Sequence, residues 1–411
     1  MSRQGAWRGR LQTYSLQAGK ATIEMKIIVA FRLSPYLEPR AHNLYTVLMT
    51  FSERILTSFP LPLYVSMPAV GIDISDRSVK LIELVPTRHG LRVGRFATRG
   101  IPEGIVVGGT IAKRAELVTL LAGLREEHGL TFVRASLPEE PGYIFTTTVP
   151  SVGPDEVRSL LAFKLEEYVP LAPAEAVIDF DVITGATATG QETVAVSVYP
   201  QDIAQEYADL LHDAGLKPIS LEIEAQAIAR AVVPQGFVGG CLVVDVGAVR
   251  SGITVVGGGA VRFTTTVAVG GDLVTVAIKK ALPNATDADI LSIKNDQGLA
   301  YRDDSSIKAA FEELATNLKN QIERYYLYWQ TRKDAKDTKL PEHPIETIFL
   351  SGGYANVAGL PEYLSRQLRV PTKRADVWKN VCSIDDAIPP ISYEDSLSYA
   401  SSIGLALHKS N

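Results

Sequence analysis

Apolar residues form three short runs near residue 70, and their separation by turns predicts a three-stranded antiparallel meander. The runs are Val70 to Ser75, Val79 to Val85 and Leu91 to Gly100. Leucines then recur at helical spacing between Lys113 and His128, which predicts a helix. An apolar strand from Phe132 to Ser136 follows, so the predicted order is β-β-β-α-β.

The next block breaks this order and predicts a compact β-α-β-β insertion. A strand from Tyr143 to Val149 leads into a helix from Pro154 to Tyr168. The proline and two acidic residues in its first turn are typical of a helix start. Two alternating strands follow, from Ala176 to Ile183 and from Glu192 to Val198.

The second half of the chain repeats the opening meander, with three strands predicted from Gly240 to Val269. A long helix from Ser305 to about Arg332 carries an apolar stripe at intervals of four and three residues. A final helix is predicted over Tyr393 to His408. The elements that connect the two halves are predicted as helix Gln201 to Ala214, strand Lys217 to Glu222 and helix Glu224 to Val233.

Two hairpins share one pattern: an apolar strand, an aspartate, a tight turn and a returning strand. Their sequences are VGIDISDRSVKLIELV, from Val70 to Val85, and CLVVDVGAVRSGITVV, from Cys241 to Val256. An aspartate at a strand end can hold hydrated Mg²⁺, and turn amides can bind phosphate oxygens. One such turn is ordinary in hairpins. Two such hairpins in one chain, followed by FLSGGYANVAGL from Phe349 to Leu360, indicate two similar domains that close on a phosphate chain.

Composition narrows the class of protein. At 411 residues, with 46% hydrophobic and 21% charged residues, the chain is expected to form two or more subdomains. Its net charge of −5 gives no electrostatic case for nucleic-acid or lipid binding. Cys241 and Cys382 form no CxxC motif, and six scattered histidines lack local partners. These features argue against a disulfide framework, a zinc site and a catalytic triad.

The first 66 residues differ from the rest, with eight Lys or Arg against three Asp or Glu. They show no sustained alternation or helical period, and prolines at 60, 62 and 68 interrupt the uncharged stretch from Ile55 to Ile72, so no membrane span is expected. We interpret residues 1–66 as a disordered extension or a start codon placed too early, ahead of Met67. The alternative is a basic arm that contacts an anionic membrane.

Several blocks from Met67 onward resemble the PilM family of type IV pilus assembly, within the actin-like ATPase superfamily and similar to FtsA. The blocks occur in the order of that family. They are GIDISDRSVKLIEL, SLPEEPGYIFTTTVP (Ser136 to Pro150), LLAFKLEEYVP (Leu160 to Pro170), VVDVGAVRSGI (Val243 to Ile253), VGGD (Val269 to Asp272) and LSGGYANVAGL.

The resemblance implies an α/β, actin-like ATPase (ribonuclease H-like) fold with two similar domains. They would span residues 67–238 and 239–392, with the β-α-β-β insertion, of the type called 1C, at about 141–200. The segment 393–411 would form a C-terminal helix that returns to the first domain.

The resemblance also implies a site for ATP and Mg²⁺ between the domains. Asp73 and Asp245 would face the metal ion through water. Lys80 would contact phosphate, although a solvated strand lysine is an equal alternative. The nucleotide-binding residues implied are Asp73, Ser75, Asp76, Ser78, Lys80, Asp245, Gly247, Ala248, Ser251, Gly271, Gly352 and Gly353.

Glu224 opens the helix that, in this superfamily, crosses between the domains, where a carboxylate could orient the attacking water. A glutamate at a helix start is also simply favourable with the helix dipole, and Glu222 competes for the role. The turns also depart from the family pattern. Ser75 replaces a glycine, Asp76 and Arg77 replace small hydroxyl residues, Val249 and Arg250 replace threonines, and Tyr354 replaces a third glycine. We therefore expect nucleotide binding with at most weak hydrolysis.

The implied function is a cytoplasmic component of the pilus assembly platform, peripheral to the inner membrane through its partners. It would bind the N-terminal tail of a PilN-like membrane protein beside the insertion helix, at Leu161, Leu165 and Tyr168. The alternative for these residues is the core of the insertion itself. Other platform proteins and further copies of the chain are additional expected partners. The alternative functions are a small-metabolite kinase of the same superfold and an FtsA-like filament.

Overall fold

The computed structural model describes residues 13–18, 21–26, 69–87, 90–184, 190–331, 343–383, 385 and 387–408. The chain divides into two compact units, Met1–Met67 with Lys409–Asn411, and Pro68–His408. In the first unit, β1 (Thr13–Ala18) pairs antiparallel with β2 (Ala21–Lys26). The hydrophobic pattern predicts no strand there. The rest of the predicted extension 1–66 lies outside the described residues.

The second unit begins with the predicted meander, helix and parallel strand, to which the structure adds one short hairpin. Polar turn residues separate the apolar runs, so each run reverses direction and pairs with the one before it. The elements are β3 (Val70–Ile74), β4 (Ser78–Thr87), β5 (Gly90–Gly100), β6 (Val106–Val107), β7 (Thr110–Ile111), α1 (Arg114–His128) and β8 (Phe132–Leu137).

The insertion follows as a separate three-stranded sheet with the strand order β10-β11-β9. Its helix ends at Lys164, four residues before the predicted end, because Leu165–Glu167 tighten into a 3₁₀ turn. The insertion has its own small core, which includes Leu161 and Leu165. Its elements are β9 (Tyr143–Pro150), α2 (Pro154–Lys164), β10 (Ala176–Thr184) and β11 (Gln191–Pro200).

The first sheet is completed after the insertion by β12, which pairs parallel with β8. Its strand order is β12-β8-β3-β4-β5. We call the elements around this sheet the first lobe. The elements after the insertion are α3 (Gln201–Asp213), β12 (Lys217–Ile223) and α4 (Glu224–Val232).

The second sheet repeats the topology of the first, with the strand order β17-β16-β13-β14-β15. In both sheets an antiparallel meander is extended by parallel strands on the side of its first strand. We call the elements around this sheet the second lobe. Its elements are β13 (Gly240–Val246), β14 (Ser251–Gly257), β15 (Ala260–Val267), α5 (Asp272–Ala281), α6 (Asp287–Ser292), α7 (Ser305–Thr331), β16 (Ile345–Ser351), α8 (Leu360–Leu368) and β17 (Thr372–Arg374).

The C-terminal segment is not the continuous helix predicted over 393–408. It contains α9 (Tyr393–Ser396), a 3₁₀ turn (Leu397–Tyr399) and α10 (Ala400–Leu407). Helix α10 packs on β3, β4 and α4. Two glycines make this contact close: a Cβ on Gly71 would lie 2.0 Å from Ser402 O, and one on Gly404 would lie 1.7 Å from Ala227 O. Helix α4 also contacts β13, β14 and β15, so it lies between the two lobes.

Candidate functional site

A cavity of about 200 Å³ lies where the β3–β4 turn of the first lobe faces the β13–β14 turn of the second. The loop after β16 and the N-terminal end of α4 also line it. The structure therefore brings together residues that are far apart in the sequence. The predicted site residues that line the cavity are Asp73, Ser75, Asp76, Ser78, Lys80, Glu224, Asp245, Gly247, Ala248, Gly352 and Gly353.

Two predicted nucleotide-binding residues, Ser251 and Gly271, do not line the cavity. The buried Ser251 Oγ donates a hydrogen bond to Val269 O at 2.6 Å. Gly271 lies so close to the ring of Tyr354 that a Cβ on Gly271 would be 1.9 Å from Tyr354 Cδ1. The amide of Gly271 donates to Gly247 O at 3.0 Å. Both residues thus connect the second hairpin to the segment that enters α5.

The floor of the cavity is acidic. Asp73 is buried and accepts a hydrogen bond from Ser136 Oγ at 2.8 Å. Burial, with the nearby Asp73, raises the pKa of Asp245 to about 6. Burial followed by the charges of Asp73 and Asp245 raises the pKa of Glu224 well above its usual value. Buried carboxyl groups near one another favour protonation or a cation.

This donor set fits a hydrated divalent cation better than a directly ligated one. Among the described residues, no three His, Cys, Asp or Glu side chains converge closely enough to bind a metal ion together. Asp73 and Asp245 can reach such an ion through its water molecules, as Mg²⁺ retains several waters in proteins.

Lys80 is partly buried and directed at the first turn. It lies opposite Asp73 in the β3–β4 register, and its Nζ donates to Ser78 Oγ at 2.7 Å. Ser75 closes the same turn, because its amide donates to Ser78 O at 3.0 Å and its hydroxyl oxygen accepts from Ser78 N at 3.2 Å. The structure thus favours a cleft-directed lysine over the solvated alternative.

Two glycines follow β16, and the second leaves the backbone open to a ligand. Gly352 has φ +84°, and a Cβ there would lie 2.5 Å from Val246 O. A Cβ on Gly353 would meet nothing closer than Ser398 Cβ at 3.9 Å. In the wall formed by β15, Thr266 Oγ1 is buried, lines the cavity and has no hydrogen-bond partner in the protein. A ligand with polar groups would satisfy this hydroxyl.

Two arginines were recognised in the sequence only as departures from the family pattern, and the structure gives them partners. Arg77 Nη2 contacts Asp272 Oδ2 at 3.0 Å. Arg250 contacts Asp76 Oδ1 at 3.3 Å through Nη2 and Glu140 Oε1 at 2.5 Å through Nε. Asp76 also accepts the amides of Gly108 and Gly109.

Glu139 lines the same cavity and was assigned no role from the sequence. It lies in the first lobe but accepts a hydrogen bond from Thr264 of the second lobe. Burial raises the pKa of Glu139 to about 7. Glu222, the rival of Glu224, does not line the cavity, and its Oε2 pairs with Arg230 Nη2 at 2.7 Å.

Tyr354 covers one end of the cavity. Its hydroxyl lies 2.7 Å from Thr275 Oγ1 and donates to Asp272 Oδ1 at 3.2 Å. Lys294 Nζ lies 4.4 Å from the centre of its ring. The pKa of Tyr354 is raised to about 12 by burial, so its hydroxyl stays protonated at neutral pH. The side chain that replaces the third glycine is therefore part of the wall.

The predicted partner residues divide between the core and the surface of the insertion. Leu165 is fully buried in the insertion core, whereas Leu161 also borders a second cavity of about 120 Å³. Tyr168 lines this cavity, stacks on Phe145 at 4.3 Å and is 40% exposed. Phe163, which was not predicted, is 88% exposed on α2. The available signal was its place in the helix, because a residue two positions after Leu161 points away from the side shared by Leu161 and Leu165.

Within the parts of the chain that the structure describes, none of the helices has both the length and the apolar character that a membrane crossing requires.

Comparison with known proteins supports the predicted fold. The family described as type IV pilus assembly protein PilM matches residues 71–410. A chain of the PilM-PilN type IV pilus biogenesis complex is similar, with a TM-score of 0.65 and 23% identity over 83% of this chain and 98% of that chain. The predicted actin-like α/β fold with two similar halves is thereby confirmed.

Two further solved structures have lower similarity. The ethanolamine utilization protein EutJ from Carboxydothermus hydrogenoformans has a TM-score of 0.48 and 16% identity, over 82% of this chain and 89% of that chain. MreB5 of Spiroplasma citri bound to ADP has a TM-score of 0.45 and 11% identity, over 81% of this chain and 94% of that chain.

Proposed function

The chain belongs to the family of the type IV pilus assembly protein PilM, and from this membership we propose that it is a nucleotide-binding component of a pilus assembly platform. It binds ATP with Mg²⁺ between its lobes and contacts the N-terminal tail of a PilN-like membrane protein. The observation that carries the nucleotide proposal is the pair of topologically matched hairpins whose turns face one cavity.

The residues present suit the ligand. Asp73 and Asp245 hold Mg²⁺ through its waters, and this ion neutralises phosphate charge when bound. Lys80 and the turn amides near Gly247 contact phosphate oxygens. Gly353 lets the nucleoside approach the backbone, since no side chain fills the space beside it.

Hydrolysis is at most weak in this proposal. A carboxyl group can act as a general base only in its deprotonated form. Glu224 has a raised pKa in the ligand-free cleft, because it is buried beside Asp73 and Asp245. Its carboxyl group therefore remains protonated to a higher pH than an ordinary glutamate.

The partner proposal rests on the family and on the exposed aromatic surface of the insertion. A short tail segment binds beside α2, with Tyr168 and Leu161 as contacts. Such binding would place the chain at the cytoplasmic side of the inner membrane through its partner. Contacts with other platform proteins or with further copies of the chain belong to the same proposal.

Thermal unfolding tests the nucleotide proposal. Mg-ATP should raise the melting temperature, because a ligand that binds only the folded state stabilises that state. The gain in the free energy of unfolding is about 2.7 kcal/mol when the Mg-ATP concentration is a hundredfold above the Kd. Asp73→Ala and Asp245→Ala should each reduce this gain while the ligand-free protein remains folded. An equal gain in both variants and the native protein would place the nucleotide elsewhere.

A further inference from the structure

Two arginines, one from each lobe, form ion pairs across the cleft with acidic groups of the opposite lobe. Arg77 in the β3–β4 turn reaches Asp272 at the start of α5, with Nε and Nη2 at 3.1 and 3.0 Å from the same carboxylate oxygen. Arg250 in the β13–β14 turn reaches Asp76 and Glu140 of the first lobe. Each lobe therefore places one arginine on an acidic group of the other lobe.

These arginines are two of the three cations that line the cavity within the described part of the chain, the third being Lys80. The remaining charged groups that line it are carboxyl groups. A polyphosphate chain entering this site needs cations close to its oxygens. Arginine suits that role, because its planar guanidinium group offers five donors in a geometry that matches phosphate.

The present geometry leaves little room for a nucleotide. The cavity measures about 200 Å³, whereas pockets for drug-sized ligands usually have about 300 to 1,000 Å³. A ligand as large as a nucleotide therefore has more room in this cavity when the lobes are further apart. Separation lengthens the contacts of Arg77 with Asp272 and of Arg250 with Asp76.

We propose that Arg77 and Arg250 bind the polyphosphate of the nucleotide, and that Asp272, Asp76 and Glu140 hold the same arginines when the cleft is empty. This inference rests on the proposed nucleotide binding and adds the residues that recognise the phosphates. The acidic partners compete with the ligand, so the ion pairs close the empty cleft and reduce its apparent affinity.

The competition predicts opposite effects from the two ends of one ion pair. Arg77→Gln should weaken Mg-ATP binding at least tenfold, because a charge-assisted hydrogen bond contributes about 1.5 to 3 kcal/mol. Asp272→Asn should instead strengthen binding several-fold, because it releases Arg77 while keeping the shape of the side chain. Calorimetric titration of the full chain measures both affinities.

Two controls distinguish this change in affinity from a general loss of stability. Arg95→Gln removes the Arg95–Glu83 pair of 2.9 Å, which lies outside the cavity lining, and should leave the affinity unchanged. Melting temperatures without nucleotide should fall in both Arg77→Gln and Asp272→Asn, because both break the contact between the lobes. The fall should be slightly larger in Arg77→Gln, which also loses the exposed contact of Arg77 Nη1 with Glu103 Oε1 at 3.5 Å. Arg250→Gln and Glu140→Gln repeat the comparison at the second pair.

The outcomes are distinct. Opposite changes in affinity at either pair support the inference. If both variants of each pair weaken binding alike, or leave it unchanged, the ion pairs are structural contacts and the inference is overturned while nucleotide binding stands. If the native protein binds no Mg-ATP, both proposals are overturned.

Discussion

Gly352 and Gly353 are neighbours in the sequence, yet their backbones have different requirements. Gly352 adopts φ +84° and lies against the carbonyl of Val246, where a Cβ would be 2.5 Å away. At Gly353 the same atom would enter the cavity, with its nearest neighbour 3.9 Å away. One glycine is therefore required by the fold, whereas the other leaves space for a ligand.

Alanine substitution should separate these two roles. Gly352→Ala should destabilise the ligand-free protein by about 1 to 3 kcal/mol, because it adds a left-handed alanine and a backbone clash. Gly353→Ala should leave the ligand-free melting temperature within about 0.5 kcal/mol of the native value but weaken Mg-ATP binding. Thermal unfolding with and without Mg-ATP measures both effects. Equal destabilisation in the two variants would contradict this division.

Some residues of the site were predictable from the sequence, and others were not. The aspartates and glycines of the turns were predictable, because each turn type needs particular residues. The partner of Arg77 was not, because Asp272 lies 195 residues away and reaches it only after both sheets have formed. Ser251 and Gly271 lie in family motifs, yet their side-chain positions pack against the second lobe rather than the cavity.

Among the elements, the hairpins were predicted well and the ends of helices less well. Alternating apolar residues and polar turns determine where β3 and β4 pair, so their register is local. Helix α2 ends earlier than predicted, since the chain tightens at Leu165 ahead of Pro170. The C-terminal helix breaks at Leu397–Tyr399. There Leu397 O accepts a hydrogen bond from the amide of Gly352, which belongs to the second lobe.

The insertion offers two apolar surfaces for a partner, and single substitutions distinguish them. Tyr168→Ala should weaken binding of a peptide from the cognate PilN tail roughly tenfold, because it removes an aromatic contact from the cavity beside α2. Phe163→Ala should have little effect, because Phe163 does not line that cavity. Fluorescence titration with the labelled peptide gives both affinities. The reverse result would move the partner to the outer surface of α2.

Both variants should retain full Mg-ATP binding, because the insertion has its own sheet and core. Loss of nucleotide binding in Tyr168→Ala would indicate that the insertion had been disrupted rather than that a contact had been removed.

Across the whole second unit, the two lobes bury several carboxyl groups against one another. The pKa of Asp245 is raised to about 6 and that of Glu139 to about 7, chiefly by burial. A group with a raised pKa in the folded state binds more protons when folded than when unfolded. These two groups therefore make the ligand-free protein less stable as the pH rises from about 4 to about 7.

Substitution of Asp245 should reduce this dependence on pH. Asp245→Asn should lose less stability than the native protein between about pH 4 and pH 6, because its side chain does not titrate. Melting temperatures across that range measure the slope. Glu83→Gln is a control in which the slope should change in the opposite direction, because hydrogen bonds from Arg95 lower the pKa of Glu83 and stabilise its charged form. Identical slopes in the native protein and Asp245→Asn would refute the assignment.

The close packing of α10 on Gly71 has a consequence for the synthesis of the chain. The ribosome makes the first lobe before the second and α10 after both, yet the backbone of α10 is what covers β3. While the second lobe is being translated, that face of the first sheet lacks its covering helix. The nascent chain must therefore keep an apolar surface from aggregating until α10 has been made, a period in which chaperones commonly act.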